Sequence, residues 1–392
     1  MSRVKEFLKE NKAILKYILF LFVTTRIVLT FVGVTSRIYF DKVNPTTYIW
    51  KYSDHLWLDI WGIWDSGYYL DIAKRGYADN QDFQFPVSII DNEYGKRQTN
   101  YGFFPLYPIL IKLVAIIVRD YYTSALIISN LCFLAAGYFL YKLVKIHFND
   151  KVAKGAVKYL FFFPTAFIYS GVITESLALL TIVLFFYYAE MEKWLRSSVF
   201  AALLSLTKFT GFLTLIPLAL IARYKGEFKN SGFWLASMLI PITLSLFLGY
   251  TWITSGSPLT HFDTKINGWA VTMGDPIKTF ALLFQYSNPK NSLSGIYQII
   301  TAFTIFQALL LVIAYKKIPF PYWIIWFILY LLTIFSGLSV SIGMPRHSLL
   351  LFPQYMVFAV LSKNFHLNKL MTGTFITFQI LLMILWVNGA IL

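Results

Sequence analysis

One cysteine, Cys132, stands in a chain of 392 residues. It lies in an apolar run, so no disulfide framework forms within the chain, and the redox compartment leaves no trace. Charge is scarce as well: Asp, Glu, Lys and Arg make up 14% of the chain, where a soluble domain carries about 25%. Acids are the scarcest, 19 against 34 Lys and Arg, for a net charge of +15. The composition is 57% hydrophobic and 19% aromatic, with a mean hydropathy of +0.61. In such a chain the basic excess reads as a membrane-orientation signal rather than a nucleic-acid footprint. There is no phosphate loop of the Gly-x-x-x-x-Gly-Lys type, no His-Glu-x-x-His and no Gly-x-Ser-x-Gly elbow. Internal repeats, low-complexity runs and Gly/Ser linkers are missing too. The basic stretch Met1 to Lys16 lacks a small-residue cleavage site, so it predicts an uncleaved first span. The expectation is one all-α, polytopic membrane domain over residues 1–392.

What is present is apolar length. A span needs ~20 apolar residues, about 17 to 25. Clear candidates are 13–36, 122–144, 174–191, 232–253, 294–315, 319–337, 346–361 and 369–389. The stretches 156–170, 196–209 and 211–223 are shorter and suit broken or tilted helices inside a bundle, in keeping with Pro164 and Pro217. Residues 104–118 read as a helix lying on the outer surface. With that choice Lys142, Lys145, Lys151, Lys154, Lys158, Lys193, Arg196, Arg223, Lys225, Lys229, Lys316, Lys317, Lys363 and Lys369 share a side with Arg3, Lys5, Lys9 and Lys12. Every short basic loop then faces the cytoplasm. The count is about eleven spans, with the N-terminus cytoplasmic. Residues 37–121 become one long outer loop with amphipathic pieces at roughly 54–75 and 104–118. That loop holds Asp41, Asp54, Asp59, Asp65, Asp71, Asp79, Asp82, Asp91, Glu93 and Asp120, more than half of the 19 acids. A second outer loop, 254–293, carries Trp269, Asp275 and Pro276. Cytoplasmic loops are too short for a nucleotide-binding domain, which excludes an ATP-driven transporter and a cytosolic nucleotide-sugar enzyme.

Within the long loop, WDSGYYLDIAKRGY at 64–77 gathers two aspartates, a basic pair and three tyrosines. Trp57, Trp61 and Trp64 lead into Asp65 and place it near headgroup level. A carboxylate there suits a general base acting on a hydroxyl, with Tyr68 and Tyr69 on its face at i+3 and i+4. Equally, Asp65 can cap the helix that starts at Ser66. Asp71 reads as an ion-pair partner of Lys74 or Arg75 before it reads as a second acid. No Asp-x-Asp occurs in the loop, which argues against a metal-bound nucleotide diphosphate. His55 and Asp59, at i and i+4, are too few for a metal and read as a surface pair. No metal and no cofactor are expected. Arg346, with His347 beside it, opens a span at its outer end, where a guanidinium suits a lipid phosphate; the alternative is snorkelling. Arg26 falls mid-span, where an ionisable group is functional by default and needs a carboxylate or carbonyl partner. Lys208 lies at the outer end of a short span and reaches toward the same cavity. Glu175 sits near a helix N-terminus, either capping with Thr174 or binding substrate.

The arrangement resembles the GT-C class of integral-membrane glycosyltransferases, and more narrowly the prokaryotic relatives of GPI mannosyltransferase II, the PIG-V family. The segments that carry the resemblance are WDSGYYLDIAKRGY (64–77), FFPLYP (103–108), SNLCF (129–133), FFPTAFIYSGVITESL (162–177), SLTKFTG (205–211) and MPRHSLLLFP (344–353). They keep their order over most of residues 20–360. The resemblance implies inverting transfer of a hexose, mannose foremost, from a polyprenyl- or dolichyl-phosphate sugar to a lipid or glycan acceptor. It implies Asp65 as base on the acceptor hydroxyl and Arg346 on the donor phosphate. Lys208 stands where the family is expected to carry arginine, which keeps the charge and loses the planar fork. Glu175 falls at the family's Ser-Glu pair. Tyr68, Tyr69, His347 and Arg26 complete the expected substrate-binding set. A partner subunit is expected in eukaryotic relatives. The implied setting is a prokaryotic plasma membrane with the site on its outer face. A transporter or flippase of lipid-linked sugars is the competing reading, for which Arg26 and the broken spans speak.

Overall fold

The computed structural model describes residues 2–40, 51–79, 82–87, 93, 95–289 and 294–390. Asp41 and Asp91, and the side chains of Arg3 and Lys5, lie outside the described residues. The protein is all-α, 78% helix, with no strand among the described residues. That follows from the sequence: apolar runs in lipid must satisfy their backbone hydrogen bonds internally, and only a helix does so within one segment.

In chain order the elements begin with α1 (Ser2–Tyr39), followed by two short helices, α2 (Leu56–Asp59) and α3 (Ser66–Arg75), and then α4 (Leu106–Val118) and α5 (Tyr121–His147). The expected amphipathic piece at 54–75 is therefore broken in two, with the turn at Gly62 to Trp64. Next come α6 (Asp150–Phe162), α7 (Glu175–Glu190), α8 (Trp194–Ser205), α9 (Leu215–Tyr224), α10 (Ser231–Ser237) and α11 (Leu239–Ser255). The path between α10 and α11 is interrupted at Met238. Pro241 explains it, because its ring crowds the carbonyl four residues back, at Ser237. The chain continues with α12 (Thr260–Trp269), α13 (Pro276–Tyr286), α14 (Ser294–Ala314), α15 (Phe320–Phe335), α16 (Leu338–Ser341), α17 (Met344–His347), α18 (Pro353–Leu361) and α19 (Phe365–Val387).

Five helical stretches are long and apolar enough to cross a membrane: Lys9–Tyr39, Tyr121–His147, Ser231–Ser255, Ser294–Ala314 and Phe365–Val387. Even the shortest of them extends about 31 Å at 1.5 Å per residue, the thickness of a bilayer core. This is the architecture of an integral membrane protein. α5 is the most enclosed of these, while α1 turns Ile27 and Phe31 outward and α11 turns Leu246 and Ile253 outward.

The remaining bundle helices are short because the chain breaks between them, and the breaks are buried. Phe163 precedes Pro164 and turns extended (φ −56°, ψ 138°), which ends α6. The freed backbone from 161 to 174 is satisfied by distant groups. Gln379 Nε2 donates to the carbonyls of Phe161 (2.9 Å) and Phe163 (3.1 Å), and the Val172 N–H donates to the Trp61 carbonyl (3.0 Å). Thr165 Oγ1 donates to the Pro345 carbonyl (2.9 Å), and the Tyr169 hydroxyl to that of Leu349 (2.6 Å). Irregular backbone survives at membrane depth only when paid for in this way. Two further breaks follow, 206–214 and 336–352, the second joined to this one through Thr165 and Tyr169. At Gly211 a Cβ would collide with the backbone amide of Ser205, so the turn after α8 needs glycine.

Candidate active site

Four charged side chains from four separate stretches meet at one end of the bundle. Arg346, on the one-turn helix α17, donates from Nη1 to Asp65 Oδ2 at 2.6 Å and from Nε to Glu175 Oε1 at 2.5 Å. Lys208 Nζ reaches the same Glu175 oxygen at 3.1 Å. Each member sits at a break: Asp65 just before α3, Glu175 at the first residue of α7, Lys208 in extended backbone (φ −151°) after α8, and Arg346 in the broken stretch 336–352. None lies inside one of the five long spans.

Local chemistry explains the placements. Trp64 takes a left-handed φ of 54°, a conformation that costs a bulky residue on the order of 1–3 kcal/mol. Its indole N–H donates to the Ala390 carbonyl at 3.2 Å, which ties the turn to the chain's far end. Asp65 occupies the N-cap position of α3, yet its carboxylate makes no capping bond. The capping alternative for Asp65 is therefore not what the structure adopts; the carboxylate points to Arg346 instead. Gly67 is required in the motif because a Cβ there would strike the Pro86 carbonyl oxygen. Thr174 likewise makes no side-chain cap on α7, and Glu175 serves the cation pair.

A cavity of about 150 Å³ opens beside the cluster. Glu175, Lys208, Thr210, Arg346 and His347 line it together with Leu329, Leu332, Val340 and Leu350, and Thr333 and Ser336 stand among the leucines. Two buried polar atoms among these have no hydrogen-bond partner: Glu175 Oε2 and Thr210 Oγ1. A buried polar atom left unpaired is costly, so an orphan acceptor and an orphan hydroxyl beside two cations mark a place for a polar ligand.

The tyrosines after Asp65 pack behind the cluster without lining the cavity. Tyr68 stacks on Phe103 (centroids 4.6 Å apart) and meets Trp269 edge-on (5.5 Å), with its hydroxyl on Gln98 Oε1 (3.1 Å). Tyr69 packs edge-on to Phe103 and Tyr107, its hydroxyl 3.4 Å from that of Thr174, and burial raises its pKa. Both are buried, so they support the site more than they line it.

Lys265 is the cation that sequence reading missed. It sits half-buried on α12, 4.6 Å from the Phe103 ring centre and 4.5 Å from that of Trp269. Burial is the main cause of its lowered pKa, about 8; Asp65 opposes the fall, and Arg346 and Lys208 add to it. Those influences place it in the same field as the cluster. α12 is anchored by Gln98 Nε2 to the Gly268 carbonyl (2.9 Å) and by His261 Nδ1 to the Tyr101 carbonyl (3.0 Å). Burial lowers the His261 pKa to about 3, so its ring is neutral and Nδ1–H is the donor. The available signal was Lys265 and Trp269 at i and i+4 on one helical face.

Other expectations fall elsewhere. Asp71 is fully buried and saturated by Arg75 Nε (2.7 and 2.9 Å), Asn100 Nδ2 (2.8 Å) and the Gln84 N–H (2.9 Å), the ion pair its spacing implied. The expected surface pair of His55 and Asp59 does not form. Asp59 is buried, accepting from the N–H groups of Tyr52 (2.7 Å) and Ser53 (3.0 Å) with Arg37 at 3.6 Å, and His55 stays exposed. Arg26 does not join the cluster. Its Nη1 bonds Ser170 Oγ (2.6 Å) and the Ala166 carbonyl (3.5 Å), and its guanidinium lies near the rings of Phe22, Trp61 and Phe133. Its partners are thus a carbonyl and a hydroxyl in the 163–174 break, and both are reached by Nη1, while its buried Nε and Nη2 have no hydrogen-bond partner among the described residues. Among the described residues no group of three or more His, Cys, Asp or Glu is placed to hold a metal. No family model and no curated protein sequence matches this chain.

Proposed function

We infer that the protein is a glycosyltransferase of GT-C type that moves a hexose, mannose foremost, from a polyprenyl- or dolichyl-phosphate sugar to an acceptor hydroxyl at the outer membrane face. The observation that carries this reading is the meeting of Asp65, Glu175, Lys208 and Arg346 beside a cavity lined by both charged and aliphatic side chains. A lipid-linked phosphate needs cations for its head and apolar contacts for its tail, and this lining suits both.

The proposed reaction follows from the charges. Arg346, Lys208 and Lys265 face Asp65 and Glu175, three cations against two carboxylates, leaving one net positive charge. That matches a phosphodiester donor of charge about −1. The donor phosphate takes Arg346 through its planar fork and draws it from Asp65, which frees the carboxylate. The acceptor oxygen attacks the anomeric carbon, its proton passes to Asp65, and the bond from that carbon to the phosphate oxygen breaks with inversion. The leaving group is a polyprenyl phosphate monoester of charge approaching about −2. Asp65 has meanwhile lost its charge, so the site's net positive charge rises with the anion it holds. Glu175 Oε2 is free to accept from a sugar hydroxyl, and Thr210 Oγ1 to donate to the phosphate. About eleven crossings with a cytoplasmic N-terminus belong to the same proposal.

The buried breaks also suit a flippase of lipid-linked sugars. One experiment separates the readings. Purified protein in liposomes is given radiolabelled polyprenyl-phosphate-mannose and candidate lipid and glycan acceptors. Label covalently attached to an acceptor is the expected result. Label that only changes leaflet supports the flippase, and label that does neither removes both readings.

A further inference from the structure

A cavity larger than the one at this site lies elsewhere in the molecule. About 710 Å³ lies at the opposite end, in a groove walled by α1, α5 and the junction of α7 with α8. That volume falls within the ~300–1,000 Å³ of small-molecule sites. The walls come from helical spacing. Leu15, Ile18 and Leu19 (i, i+3, i+4) face it from α1, and Leu134, Tyr138 and Phe139 (i, i+4, i+5) from α5. Tyr187, Tyr188 and Met191 close the third side. The Tyr138 hydroxyl donates to Asn11 Oδ1 at 3.1 Å, bridging α5 to α1 where the groove turns polar.

The rim carries Lys142, Lys193 and Arg196 against a single carboxylate, Glu10. At this end Lys145 and Lys154 pair with Asp150, and Lys225 with Glu190 and Glu192, while Lys151, Lys316 and Lys317 have no ion pair among the described residues but do not line the groove. Among the described residues no carboxylate lies within 4 Å of Lys142, Lys193 or Arg196. Lys142 is half-buried and lies five residues, roughly 7.5 Å, inside the end of a membrane-length helix. Arg196 stands 5.7 Å over the Tyr188 ring. An aliphatic trough whose open end holds unpaired cations at headgroup depth is complementary to a lipid with an anionic head.

We propose that this groove is a binding site for an anionic phospholipid of the leaflet opposite the candidate active site. The headgroup phosphate engages Lys142, Lys193 and Arg196, and an acyl chain lies along Leu15, Ile18, Leu19, Leu134 and Phe139. The site is separate from the donor site: on α7, Glu175 of the cluster and Tyr187 of the groove are twelve residues apart, roughly 18 Å along the axis.

The test is native mass spectrometry of the delipidated protein titrated with phosphatidylglycerol or phosphatidylcholine of matched chains. The wild type is expected to take one phosphatidylglycerol at least tenfold more tightly than phosphatidylcholine. The triple variant Lys142→Gln, Lys193→Gln, Arg196→Gln should lose that preference. A control triple at other exposed basic positions, Lys151→Gln, Lys316→Gln, Lys317→Gln, should keep it. Leu15→Trp, which fills the trough and leaves the cations, should weaken binding of both lipids; a thermal melt confirms that each variant is folded. Equal affinity for the two lipids in the wild type overturns the proposal. So does an unchanged preference in the first triple, or equal loss in the control, which would mean a charged annulus and no built site.

Discussion

Asp71 and Asp65 stand six residues apart in one motif, and their surroundings are opposite. Asp71 has no exposed surface, and two donors from outside its own helix, Asn100 and Gln84, join Arg75 at i+4 to complete its shell. Asp65 keeps a side-chain exposure of 24%, and a single cation, itself shared with Glu175, holds it. A saturated buried carboxylate fixes a loop. A half-exposed carboxylate held by one exchangeable cation beside a cavity can be released by an incoming anion. The same residue type therefore does architecture within α3 and, under the proposed function, chemistry at its start.

Replacements can break this contrast. Asp65→Asn is expected to lower single-turnover transfer by roughly 10²–10⁴, the usual contribution of a general base, with the thermal melt in detergent near that of the wild type. Asp71→Ala should do the reverse, because removing one partner of a buried pair costs about 3–5 kcal/mol. Its melt should fall sharply, while transfer per folded molecule at low temperature should hold. A large activity loss in folded Asp71→Ala would erase the distinction. Arg346→Lys keeps the charge and loses the fork. A charge-assisted hydrogen bond is worth about 1.5–3 kcal/mol, so the donor KM should rise roughly 10- to 100-fold, with a smaller change in acceptor KM. The smallest effect concerns Lys265. Its pKa is lowered by burial to about 8, so the charge is present below that pH and lost above it. Donor affinity should fall as pH rises through about 8. Lys265→Met should flatten that step, and an unchanged pH profile would place Lys265 outside the phosphate's field.

Much of the fold was legible because apolar length is a local signal. All five long spans coincide with expected runs, and α6 ends where Pro164 announces it; Pro217, by contrast, lies inside α9 without a break, and the run expected as a span over 346–361 is broken between α17 and α18. The four clustered charges were legible as separate motifs. Their direct contact was not: Asp65 and Arg346 are 281 residues apart, and no periodicity encodes such a distance. Asp59 misled because His55 at i−4 offered a local partner, while its true one, Arg37, belongs to the end of α1. Lys265 escaped because its one local signal, Trp269 at i+4, shows only once 260–269 is read as a helix, and its contact with Phe103 is distant in sequence. Arg26 was correctly marked as needing a carbonyl or carboxylate, yet its address, Ser170 and Ala166, depends on how the 163–174 break closes.

The central claim is that the Asp65–Arg346 pair is the resting form of a donor-phosphate site. A cryo-electron-microscopy map of the protein with a non-transferable polyprenyl-phosphate-hexose analogue tests it most directly. The expected map has the phosphate on Arg346 and Lys208, the lipid along Leu329 and Leu332, and the Asp65 carboxylate released toward the sugar's anomeric face, within about 10 Å (roughly three extended residues) of the phosphate. Analogue bound elsewhere, with Arg346 still on Asp65 and Glu175, would contradict it.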